Sequence, residues 1–115
     1  MYKKSDQLLK RALKCIPLGS QTFSKSLTQY PRGASPFFIE RGRGSKVWDV
    51  DGNEYIDFVN SLAAVTLGYC DKDVDRAVQE QMKSGVTFSL PHKLEMEVAE
   101  KLIEIIPCAE KVRFA

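Results

Sequence analysis

The chain has 115 residues, the size of one ordinary domain. Its 17 Lys and Arg against 15 Asp and Glu leave an evenly mixed net charge of +2, which argues against a nucleic-acid-binding surface. With 43% hydrophobic and 28% charged residues the composition is globular, and no apolar run approaches the roughly 20 residues of a membrane-spanning helix. The charged opening MYKKSDQLLKRALK lacks the apolar segment of a secretory signal, so a cytoplasmic location without a membrane partner is expected. Cys15, Cys70 and Cys108 are odd in number and widely spaced, and with a single His they make no usual zinc set. Buried free thiols in a reducing compartment are expected.

Apolar positions Leu8, Leu9, Ala12, Leu13 and Ile16 predict a helix over 5–16, with Ser5 as its cap and Pro17 and Gly19 as its stop. Residues 17–36 are rich in Ser, Thr, Gln, Pro and Gly and show no period; loops of that length are often functional. Three short strands follow, at 37–40, 46–50 and 55–59. Arg41-Gly-Arg-Gly44 is read as the first turn between them and Asp51-Gly52-Asn53 as the second, with Trp48 in the core of the small sheet. Beyond Gly68, Asp71 or Asp73 caps a helix through Lys83 that carries Val74, Ala77, Val78 and Met82 on one face, and Gly85 ends it. A loop over 86–92 leads to a last helix over 93–106, ended by Pro107. Its stripe of Leu94, Val98, Leu102 and Ile105 is widened by Met96, Ala99, Ile103 and Ile106. Residues 111–115 read as the start of a buried strand. Three strands and three helices do not enclose so wide a stripe, so the chain is read as the front part of a larger enzyme.

The stretch Phe37-Phe-Ile-Glu-Arg-Gly-Arg-Gly-Ser-Lys-Val-Trp-Asp-Val-Asp-Gly-Asn-Glu-Tyr-Ile-Asp57 resembles the opening of class III pyridoxal-phosphate aminotransferases. With Ile16-Pro-Leu-Gly19, Leu67-Gly68, Leu94-Glu-Met-Glu-Val-Ala-Glu-Lys-Leu102 and Val112-Arg-Phe114, nearly the whole chain resembles the N-terminus of the glutamate-1-semialdehyde aminomutase-like branch. The resemblance implies an α/β fold, part of a fold-type I pyridoxal-phosphate-dependent transferase. It divides the chain into an N-terminal helix and arm (1–36), a small three-stranded antiparallel sheet (37–70) and the first helices of the large cofactor-binding domain (71–115). It also implies pyridoxal 5'-phosphate in the full-length protein, a small-molecule amino donor, a keto or aldehyde acceptor, and a homodimer. In that family the phosphate-binding turn, the aspartate on the pyridine nitrogen and the Schiff-base lysine come later in the chain. No catalytic, cofactor-binding or metal-binding residue is therefore assigned here.

The sequence departs from the family pattern in three places; the first two mark Lys25, Ser61 and Leu62 as candidate substrate-binding residues, and Asn60 joins them because with Ser61 it follows a strand end, where side chains often face a ligand. Lys25 stands where the aminomutases commonly carry a carboxylate-binding arginine, and a lysine lacks the bidentate fork. Ser61-Leu62 replaces Ser-Trp after the third strand, and Gly68-Tyr-Cys-Asp-Lys72 replaces a Gly-His-x-His-Pro turn. The first two exchanges favour an aminotransferase for another amine or keto compound, a keto sugar among them. The alternatives are a non-catalytic interaction domain or split-gene subunit, and the glutamate-1-semialdehyde 2,1-aminomutase itself. Among the remaining candidates, His92 is read as a helix cap or partner contact, and Glu95, Glu97, Glu100 and Glu104 as a solvated face on which Glu97-Lys101 and Glu100 near Glu104 set the local charge. Cys70 is an unremarkable loop thiol, and Gly42-Arg-Gly44 is a hairpin turn without the pattern of a phosphate cradle.

Overall fold

The structure, a computed structural model, describes residues 1–114. They fall into two compact units, Met1–Asp75 and Arg76–Ala115.

In the first unit, helix α1 spans Lys3–Ala12, two residues earlier than its apolar spacing predicts. Ser5 is not its cap. The free amides of its first turn are bound from far along the chain: Lys4 N and Ser5 N donate to Asp51 Oδ1 and Oδ2 at 2.8 and 3.0 Å. An acceptor at a helix N-terminus satisfies orphan donors and places negative charge at the positive end of the dipole. Ser5, released from capping, is buried, and its hydroxyl accepts the Phe37 amide at 3.1 Å. The helix and the hairpin turn thus fasten each other. After α1 the chain makes single 3-10 turns at Pro17–Gly19 and Phe23–Lys25 within the otherwise irregular loop.

Strands β1 (Ile39–Arg43), β2 (Lys46–Asp49) and β3 (Glu54–Ile56) form an antiparallel meander in that order. The first turn is shorter than the sequence suggests. Arg41, Gly42 and Arg43 belong to β1, opposite Trp48, Val47 and Lys46, and the pairing is irregular between Ile39 and Arg41. Gly44, at φ +56°, supplies the left-handed step a tight turn requires, so the residues before it can stay in the ladder. Val47 and Asp49 point to the buried face, with Tyr2 and Leu9 as the other buried large side chains. Alternation along the strand then sends Trp48 to the opposite face. There it is half-buried rather than core, with the Arg41 guanidinium carbon 3.7 Å from its ring centroid in a cation–π contact.

Asp49, fully buried, organises the second hairpin turn. Its two oxygens accept from Asp51 N, Asn53 N, Asn53 Nδ2 and the Tyr55 hydroxyl at 2.8–3.0 Å. Burial alone pushes the carboxyl up, but these bonds, led by those from Asn53, outweigh it and hold Asp49 below the usual carboxylate range.

Helix α2 (Lys72–Met82) opens under Asp71, which is the cap: its Oδ1 accepts Asp73 N and Val74 N, each at 3.1 Å. In the second unit, helix α3 spans Lys93–Ile105. Its start is a capping box, in which His92 Nδ1 accepts Leu94 N at 3.3 Å and Glu95 Oε1 accepts His92 N at 3.0 Å. The ion pairs on its polar face are Lys93–Glu97 and Lys101–Glu104, not the Glu97–Lys101 pair expected from spacing. No residue of α2 or α3 is buried. The expected strand does not form at 111–114, where no described segment supplies the hydrogen-bonding neighbour a strand needs; Ala115 lies outside the described residues. The thiols of Cys15, Cys70 and Cys108 are free as expected, but exposed rather than buried. No helix among the described residues is long and apolar enough to cross a membrane.

Candidate functional site

The candidate residues at 60–62 lie directly beyond β3, where the chain does something unusual. Asn60, Ser61, Leu62 and Ala63 have φ of +55°, +49°, +57° and +69°, a run of four left-handed residues without a glycine. For residues with a Cβ that conformation costs roughly 1–2 kcal/mol each, and only Asn tolerates it readily. Such a run persists only where its surroundings hold it, and strain of this kind clusters at functional sites.

Asp57 is the first restraint. Its amide is tied to Ser45 O at 2.8 Å, and its Oδ1 accepts Val59 N and Asn60 N at 2.9 and 3.0 Å. The turn then closes on itself through Leu62 N to Val59 O (3.0 Å), Ala64 N to Ser61 O (3.3 Å) and Val65 N to Asn60 O (3.1 Å). The second carboxylate oxygen, Oδ2, accepts the Tyr69 hydroxyl at 2.6 Å. That bond, against partial desolvation and with help from the turn amides, holds Asp57 below its ordinary range. The same bond, with desolvation and the nearby negative charge, pushes Tyr69 up to about 12. Phenol and carboxylate are thus a fixed donor and a fixed acceptor across the neutral range.

The result is a polar-braced turn with an apolar tip. Leu62 is exposed, as are Phe58 and Val59 just before it, while Asn60 and Ser61 are half-buried. Ala64, Val65, Tyr69, Asp71 and Val74 line part of a shallow open cleft of about 380 Å³ that follows the turn. None of the four candidate residues lines that cleft.

Lys25 is not bonded to the turn among the described residues. It ends the exposed single turn Phe23–Lys25, and among the described residues no hydrogen bond or ion pair joins it to Asn60, Ser61 or Leu62. Asn60, Ser61 and Leu62 are therefore brought together by one local conformation, whereas Lys25 is not tied to them. His92 stacks on Phe88, with ring centroids 5.2 Å apart and 12° between planes, and serves as the cap of α3. The residues that sequence reasoning passed over are Asp57 and Tyr69. The signal for Tyr69 was present, since it sits in the departure at Gly68-Tyr-Cys-Asp-Lys72, but its partner twelve positions earlier could not be read from spacing.

The described side chains offer little to hold an aromatic phosphate cofactor. The oxygens of Asp49 and Asp57 are engaged by donors of the chain itself, leaving neither poised for a pyridinium nitrogen. Every lysine is exposed.

The chain is 40% identical over 111 residues to glutamate-1-semialdehyde 2,1-aminomutase of Aquifex aeolicus (strain VF5), a match covering 96% of this chain and 26% of that protein. The fold matches an omega-transaminase from Sphaerobacter thermophilus with a TM-score of 0.80 and 34% identity, over 93% of this chain and 23% of the other. It also matches the FumI protein of Sphingopyxis sp. MTA144, solved as its PLP internal aldimine form, with a TM-score of 0.82 and 27% identity, over 95% of this chain and 26% of that one. The chain thus spans about a quarter of the length of the relatives it matches. The α/β arrangement of small antiparallel sheet and helices is shared with these two structures over nearly the whole chain. Residues 29–115 match the aminotransferase class-III family over most of the chain, and the chain belongs to that family.

Proposed function

We propose that this chain is the N-terminal part of a pyridoxal-phosphate-dependent aminotransferase, one that moves an amino group between a small amino donor and a keto or aldehyde acceptor. The observation that carries the reading is the left-handed turn at the end of β3. A family member that holds four strained residues in place, with an exposed Leu62 at their tip, has built a rigid wall for a ligand rather than a loose connection. In this reading Asn60, Ser61 and Leu62 face the substrate. Lys25, exposed and unpaired with them, attracts a substrate anion at longer range. The cofactor, when bound, supplies the electron sink. The residues that hold it belong to the enzyme outside this stretch, because those described here do not fit it.

The choice of a transaminase over the aminomutase rests on two exchanges, Lys25 for an arginine and Leu62 for a tryptophan. The aminomutase remains the second reading, favoured by the 40% identity to a protein of that name. A keto sugar is among the acceptor classes this reading allows, since a leucine is smaller than the tryptophan it replaces. We further propose a cytoplasmic homodimer. Its support is the three free thiols, which suit a reducing compartment, and the exposed apolar side chains of α2 and α3. The test is a half-reaction on the complete enzyme that carries this segment. It is loaded with pyridoxal phosphate, offered a panel of amino donors, and followed by cofactor absorbance. Conversion to the amine form by at least one donor, and its return by a keto or aldehyde acceptor, is the expected result. A cofactor unmoved by every donor overturns the reading.

A further inference from the structure

The turn at Asn60–Ala63 does not hold itself, and its restraint can be followed back, bond by bond, to the sheet. Asp57 caps the turn through its carboxylate, whose Oδ1 accepts Val59 N and Asn60 N. Bonds to one oxygen set the carboxylate plane less tightly than bonds to both, and leave room for a libration about the Cβ–Cγ bond. What stops it is Oδ2, held at 2.6 Å by the Tyr69 hydroxyl. Tyr69 is in turn immobilised at both ends. Its backbone pairs with Gly44 in both directions, Gly44 N to Tyr69 O at 2.8 Å and Tyr69 N to Gly44 O at 2.9 Å. Its ring lies flat against the bare backbone of Gly42, so closely that a Cβ there would stand 2.4 Å from the ring's Cγ.

We propose that Tyr69 is a positioning residue for the substrate turn, its hydroxyl fixing the Asp57 carboxylate in the orientation that caps the left-handed residues Asn60–Ala63. The proposal rests on the reading of Asn60–Leu62 as substrate-facing. Tyr69 touches no substrate in this account; it acts through Asp57. Gly42 acts one step further back, as the only residue type that lets the ring approach the strand. The ring and the hydroxyl then have separable jobs: the ring anchors to the sheet, and the hydroxyl transmits that position to the turn.

Tyr69→Phe separates them, since it keeps the ring on Gly42 and removes only the hydroxyl. Amide hydrogen exchange is measured on the wild type, Tyr69→Phe, Asp57→Ala and the double variant. The Val59 and Asn60 amides should exchange about tenfold faster in Tyr69→Phe, while those of Val47 and Trp48 in the sheet stay unchanged. Adding Tyr69→Phe to Asp57→Ala should change nothing further at these two amides. In the complete enzyme, Tyr69→Phe should raise KM for the substrate more than it lowers kcat, and leave cofactor affinity unchanged. Leu62→Ala serves as the control for the turn itself. If Leu62→Ala alters substrate selectivity while Tyr69→Phe moves neither exchange nor KM, the proposal is overturned and the reading of the turn survives. If Tyr69→Phe accelerates exchange but neither variant changes KM or selectivity, the substrate-facing reading is overturned and the positioning role falls with it. Uniform acceleration across the sheet, or additivity on the Asp57→Ala background, also overturns the proposal.

Discussion

The two units solve the problem of order by different means. In Met1–Asp75 the fixed points are polar groups with several partners each: Asp49 in the hairpin turn, Asp51 on the end of α1, Ser5 under Phe37, Asp57 between Tyr69 and the left-handed turn. All six buried side chains of the chain's described residues lie there, and three of them are polar: Ser5, Ser26 and Asp49. In Arg76–Ala115 none of the described residues is buried, and the helix α3 forms on local signals, a capping box and ion pairs three or four residues apart. The difference teaches that the small sheet owes its shape to satisfied buried polar groups, which fix one geometry because every alternative strands a donor or acceptor. The helical unit owes its shape to propensity and capping, which define a helix but not what covers it.

The comparison breaks most severely at Asp49. Asp49→Ala leaves four donors without their acceptor inside the first unit, and the loss should reach at least about 3 kcal/mol. Trp48 is the only tryptophan and sits in the same strand, so its fluorescence in a urea titration reports the effect. A midpoint within experimental error of the wild type would show that the network is ornamental.

A pH titration sharpens the same contrast. Asp49 and Asp57 have folded values below the ordinary 3.8, so as pH falls the unfolded chain takes up these protons first. Their contribution is complete above the ordinary value and is lost as the pH drops through the depressed one. Tyr55 and Tyr69 are raised above the ordinary 10, so their contribution is complete below pH 10 and is lost as pH climbs, for Tyr69 through about 12. Desolvation leads the cause for Tyr55, and the bond to Asp57 leads it for Tyr69. The Trp48 transition should therefore weaken at both acid and alkaline extremes and stay level between them. A monotonic change across the neutral range would contradict this.

Gly42→Ala comes next in size. A methyl placed 2.4 Å from the Tyr69 ring must push the ring or the strand aside, at about 1–3 kcal/mol. The effect should centre on Tyr69 and the turn it braces, visible as shifted amide resonances at Gly44, Val59 and Asn60. Tyr69→Gly in the same chain makes room for the methyl, so Gly42→Ala should cost much less on that background.

The meander, α2 and α3 were legible in the sequence because their signals are local: Asp51-Gly52-Asn53, the apolar spacing of 74–82 and 94–105, the breakers Gly85 and Pro107. What escaped was set by residues far apart. Ser5 has the sequence of a cap, yet Asp51, 46 positions on, takes that role. Trp48 has the size of a core residue, yet strand parity turns it outward. Arg41-Gly-Arg43 has turn composition, yet one glycine after it suffices for the turn. At the site, Asn60–Leu62 could be singled out by position, but no local rule predicts four left-handed residues without glycine. That conformation is imposed by Asp57 and Tyr69, whose link exists only once β3 and the Gly44–Tyr69 bridge are formed.

The smallest expected effect belongs to the helical unit, at His92. Its imidazole contributes in two ways: Nδ1 accepts the Leu94 amide, and the ring stacks on Phe88. The other half of the capping box, His92 N to Glu95, uses the backbone and survives any substitution there except proline. His92→Ala should therefore cost only about 0.5–1 kcal/mol, seen as fraying of the first turn of α3, with the Trp48 transition unmoved. Two further variants separate the contributions. His92→Ser restores an acceptor without a ring, and His92→Phe restores a ring without an acceptor. If capping dominates, as the contrast between the units requires, serine recovers the first-turn amide protection and phenylalanine does not. Recovery by phenylalanine alone would mean that α3 starts where it does because of an aromatic contact, and the helical unit would then depend on side-chain packing after all.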